Sequence, residues 1–77
     1  MKSIRLTKHA QEQCIERGAT EEEVRYAILH GHREICRYSF PYNTNWQGKH
    51  YAVKQVAPVI KEEQNEIVVI IVYTMYF

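Results

Sequence analysis

From Glu66 to Phe77 the chain reads E-I-V-V-I-I-V-Y-T-M-Y-F, and neither alternating face of that run is polar. Val68, Ile70, Val72, Thr74 and Tyr76 fall on one side; Ile67, Val69, Ile71, Tyr73, Met75 and Phe77 fall on the other. β-Branched and aromatic residues at this density read as a strand. A strand with one wet face alternates apolar with polar, so this one calls for cover on both sides. The 77 residues form a single domain, 1–77, and the cover has to come from the rest of the chain or from another molecule.

The first candidates are two short helices. Thr7 is an N-cap, Gly18 a stop, and between them Ala10, Cys14 and Arg17 share a face, with His9 and Gln13 at its margin. Thr20-x-x-Glu23 is a capping box that restarts the chain as a second helix, with Val24, Ala27 and Ile28 as its apolar stripe and Gly31 as its end. Glu21, Glu22 and Glu23 sit where the helix dipole favours negative charge. Helices this short need a sheet to lie on. Glu34 to Phe40 alternates as a strand, Pro41 to Gly48 is a loop by composition, and a second strand runs from about His50 to Ile60. Pro58 predicts an edge, bulge or bend in it. Lys61 to Asn65 is a polar turn, and Ile4 and Leu6 alternate too briefly for more than a lead-in.

Two short helices cover one face of a sheet. The other face of the last strand is therefore expected to meet a second copy of the chain, giving a homodimer, or a partner protein; the alternative is a strongly curled sheet that wraps its own core. The apolar run is too short to cross a bilayer and no signal peptide is visible, so no membrane role and a cytoplasmic location are expected. Cys14 and Cys36 read as buried free thiols.

The net charge of +1 argues against a general nucleic-acid binder, but its distribution is uneven. Residues 30 to 61 carry Arg33, Arg37, Lys49, Lys54 and Lys61 against one acid, Glu34, together with three of the four histidines. Tyr38, Phe40, Tyr42, Trp46 and Tyr51 are interleaved with those cations. Rings that stack on unpaired bases beside cations for the backbone are the elements of a single-stranded RNA reader. Arg33, Arg37, Trp46, Lys49, His50 and Lys54 are the candidate RNA contacts. A zinc site from His30-x-His32 and Cys36 is disfavoured, because no paired Cys-x-x-Cys accompanies it.

The segment K-H-A-Q-E-Q-C-I-E-R-G-A-T-E-E-E-V, residues 8 to 24, resembles the opening of a family of small bacterial domains of unknown function. Their pattern is His-Ala, an Arg four residues after the His, then Arg-Gly-Ile-Ser/Thr, acidic residues and Val. Gln13 here stands in place of that first Arg, and Ala19 in place of Ile. The family is grouped with the RelE-like and barnase-like ribonuclease toxins. The resemblance implies an α+β fold, two N-terminal helices packed on a three- to four-stranded antiparallel sheet, RelE-like. It also implies a small metal-independent endoribonuclease of toxin–antitoxin type, needing no cofactor, with a cognate antitoxin on the apolar last strand.

In such a reaction a ribose 2′-hydroxyl attacks the adjacent phosphate. An imidazole is suited to move the proton and a guanidinium to hold the developing charge. His9 and Arg17 are candidates, about 12 Å apart along a helix axis, so a third group from the sheet is required, from among His50, Lys54, Tyr73, Thr74 and Tyr76, with Tyr73 placed first. The competing reading is a non-catalytic interaction or regulatory module that uses the last strand. Gln13 favours the latter, while His9 and the basic, aromatic block favour the nuclease, which is the leading reading.

Overall fold

A computed structural model describes residues 2–31 and 36–77. Among them the chain forms β1 (Ser3–Leu6), α1 (Lys8–Arg17), α2 (Glu21–His30), β2 (Tyr38–Phe40), β3 (Thr44–Trp46), β4 (Lys49–Tyr51), β5 (Lys54–Glu62) and β6 (Glu66–Tyr76).

Local chemistry sets the helix ends. The Thr7 hydroxyl accepts from the Ala10 amide, and Gly18 closes α1 in the left-handed region at φ 74°. At α2 the Thr20 hydroxyl accepts from the Glu23 amide while Glu23 accepts from the Thr20 amide, the reciprocal capping box. Both helices lie on one face of a four-stranded sheet ordered β1-β6-β5-β2; β3 and β4 form a separate two-stranded ribbon.

The sheet corrects the expected architecture. A strand precedes the helices, and it pairs parallel with the last strand, Leu6 opposite Val69, so the sheet is mixed rather than antiparallel. The expected arrangement of two N-terminal helices on a three- to four-stranded antiparallel RelE-like sheet is not the one formed. The reason lies in the lead-in: Ile4 and Leu6 give only two alternations, yet Leu6 is buried and Arg5 pairs with Glu66 at 3.0 Å. Its paired residues on β6 are 63 positions away along the chain, beyond any local pattern.

Two further boundaries differ. The expected loop over 41–48 contains β3, and the expected strand from His50 to Ile60 is interrupted at Ala52 and Val53 into β4 and β5. The expected strand over 34–40 is described from Tyr38; residues 34 and 35 lie outside the described residues. Pro58 pairs with Val72 on β6, at a level that β2 does not reach, so its missing N–H faces an open edge.

The core is built mainly from small and β-branched residues, Ala10, Cys14, Ala19, Val24, Val56, Val69 and Val72, with Leu6 and Phe40 as its larger members. Ala10 and Ala27 are wholly buried and bring the helix backbones close to the sheet. Val69 and Val72 both point into this core although they are three residues apart. A register shift between Val59 and Ile60 makes Ile70 an extra residue in β6 and reverses which parity faces inward.

Candidate functional site

β1 covers β6 only from Glu66 to Val69, which leaves the rest of that edge without a strand. α1 takes its place. The Val72 amide donates to Gln13 Oε1 at 2.8 Å, and the Val72 carbonyl accepts from Arg17 Nη1 at 2.7 Å. One amide and one guanidinium thus satisfy the two main-chain groups that a neighbouring strand would have bound. Gln13 is buried, and its carbonyl supplies the acceptor that an arginine lacks. This gives a structural reason for glutamine at a position where the resemblance implies arginine.

Arg17 is engaged on several sides. Its guanidinium lies 5.3 Å from the centre of the Tyr73 ring, within cation–π range. Its carbonyl, exposed by the end of α1, accepts from the Thr74 hydroxyl at 2.9 Å and the Tyr76 hydroxyl at 2.7 Å. Burial raises the Tyr76 phenol above its ordinary value.

Lys54 sits inside the molecule. Its ammonium binds Glu23 at 2.8 Å and also donates to the Gly18 carbonyl. The same Glu23 oxygen accepts from the Thr20 amide at 2.9 Å. One buried ion pair therefore fastens the end of α1 and the start of α2 to β5, and the ammonium is turned away from solvent.

The other candidates lie on the surface. Lys49, His50 and Arg37 are exposed, and His50 Nδ1 meets Asn45 Oδ1 at 3.1 Å. Trp46 is half-buried, stacked on Tyr76 with ring centres 5.3 Å apart and planes 9° from parallel. Arg33, and His32 of the disfavoured zinc pattern, lie outside the described residues. His9 is exposed in the first turn of α1, at the opposite end from Gly18, against which Trp46 packs. The structure thus brings Arg17 and Tyr73 together and leaves His9 about 12 Å away along the helix axis. Among the described residues no three metal-ligating side chains converge. Cys14 and Cys36 are buried and unbridged, and burial is the leading cause of the rise in both thiol pKa values.

The largest uncommitted feature is the sheet face that carries no helix. With the bulge at Ile70, this face presents Ile71, Tyr73 and Met75 from β6, flanked by Ala57 and Val59 from β5, and Phe77 follows in the same alternation; Val68, between Arg5 and Lys61 on the same face, is buried. Phe77 is 63% exposed, Tyr73 48%, Val59 41% and Met75 37%. No family model, curated protein or solved structure matches this chain. Any functional reading therefore rests on the surfaces themselves.

The apolar face was legible in the sequence, because both parities of the last strand are hydrophobic. The edge cap was not. Gln13 and Arg17 read as polar residues of a helix until the strand they complete is in place.

Proposed function

We propose that this chain is a non-catalytic interaction module whose helix-free sheet face docks onto a second copy of itself. A continuous apolar surface in which Tyr73, Val59, Met75 and Phe77 each remain more than a third exposed supports the reading. Exposed apolar surface that is contiguous rather than scattered marks an interaction site. Two further observations favour it over chemistry. Arg17 is held by main-chain and ring contacts, and Lys54 is buried in an ion pair.

Light scattering on the purified chain at micromolar concentration tests this. The expected mass is twice the 9.2 kDa of one chain, falling to one chain on Tyr73→Glu with the circular dichroism unchanged. A wild-type monomer at that concentration overturns the reading.

A second reading, the toxin-type endoribonuclease acting on RNA, is favoured by the exposed imidazole of His9 and by Lys49 and His50 on the β3–β4 ribbon. Induction in a bacterial host separates the two. Growth arrest relieved by His9→Ala supports the nuclease, and harmless expression with no RNA cleavage in chelating buffer supports the module.

A further inference from the structure

On the helix side of the sheet, away from the apolar face, an open cleft of about 560 Å³ lies between the start of α2 and β2. Four rings wall it: Tyr26 from α2, Tyr38 and Phe40 from β2, and Tyr42 just beyond. Tyr38 meets Tyr26 edge to face at 4.9 Å and Phe40 at 4.9 Å, while Phe40 and Tyr42 stack at 4.9 Å. The rings are therefore fixed against one another rather than free to collapse into the space.

The rim is acidic. Glu22 and Glu23 line the cleft, and Glu21 precedes them in the same helical turn. Glu23 is neutralised by Lys54, but among the described residues no ion pair engages Glu22. The field is felt inside: burial raises the Tyr42 phenol, and Glu23, Tyr26 and Glu22 raise it further.

We propose that this cleft binds the guanidinium of an arginine side chain presented by a partner peptide. Ring faces attract a cation, and a planar guanidinium stacks on them where a compact, strongly hydrated ammonium fits less well. The Glu22 carboxylate supplies a charge-assisted acceptor at the mouth. Phosphate-bearing ligands are disfavoured by the same carboxylates, so the rings here suit a cationic peptide and not a nucleic-acid strand.

The test is a proton NMR titration of the full chain, following the rings of Tyr26, Tyr38 and Tyr42, with Tyr51 of the ribbon as internal control. Nα-acetyl-arginine amide is the probe, and Nα-acetyl-citrulline amide is its uncharged isostere. Saturable shifts of the three cleft rings are expected with the arginine probe, at a millimolar Kd suited to a single side chain. The citrulline probe and the exposed-site variant Glu22→Gln are each expected to weaken binding by about three- to tenfold. Equal binding of citrulline, no effect of Glu22→Gln, shifts that include Tyr51 to the same extent, or no saturable shift would each overturn the proposal.

Discussion

Single side chains in this protein do the work of missing backbone. Gln13 is the clearest: its carbonyl accepts the Val72 amide at a strand edge that no strand covers. Gln13→Ala or Gln13→Arg leaves that amide unpaired, and we expect a loss of about 1–3 kcal/mol, read as a lower urea midpoint. Lys54 and Glu23 are the second case, with side chains only 9% exposed each. Lys54→Met strands a carboxylate and is expected to cost about 3–5 kcal/mol. The double variant Lys54→Met/Glu23→Gln, which keeps an acceptor for the Thr20 amide, is expected to recover most of that loss. Thr20 and Glu23 were readable as a capping box from their spacing. The partnership with Lys54 was not, because thirty-one residues separate it from Glu23.

At the scale of elements, the junction between α1 and α2 is where the pieces meet. Gly18 takes φ 74°, and a Cβ placed there would lie 2.5 Å from the Trp46 ring and 2.6 Å from the Tyr76 hydroxyl. Gly18→Ala therefore meets both backbone strain and a clash. A loss of about 1–3 kcal/mol is expected, with a change in Trp46 emission that shows the ribbon has shifted. The helices themselves were legible, since caps and stops act within four residues. β1 was not, because four residues with two apolar positions carry almost no periodic signal and a parallel partner can be anywhere downstream. The bulge in β6 was equally hidden. It lets Val69 and Val72 face the same core, and its cause is pairing with β5 rather than anything local to Ile70.

For the whole molecule, the two faces of the sheet are unequal. One side of the sheet is closed by α1 and α2, and the other presents Val59, Tyr73, Met75 and Phe77. Among the described residues no helix is long and apolar enough to cross a membrane. The titration of the fold as a unit has a definite sign. Cys14, Cys36 and Tyr76 all carry raised pKa values, so these groups ionise more readily in the unfolded chain. Their contribution is complete below the ordinary thiol value of 9.0 and is lost as pH rises through the folded values. Urea midpoints measured from pH 8 to 11 are expected to fall steadily above about pH 9, and a flat profile would contradict the burial of these groups. By itself the sequence determined the two capped helices and the apolar last strand, because capping and alternation act between near neighbours. Only the tertiary structure decided that β1 joins β6, that Gln13 and Arg17 finish its edge, and that Lys54 is buried, because each depends on residues distant along the chain.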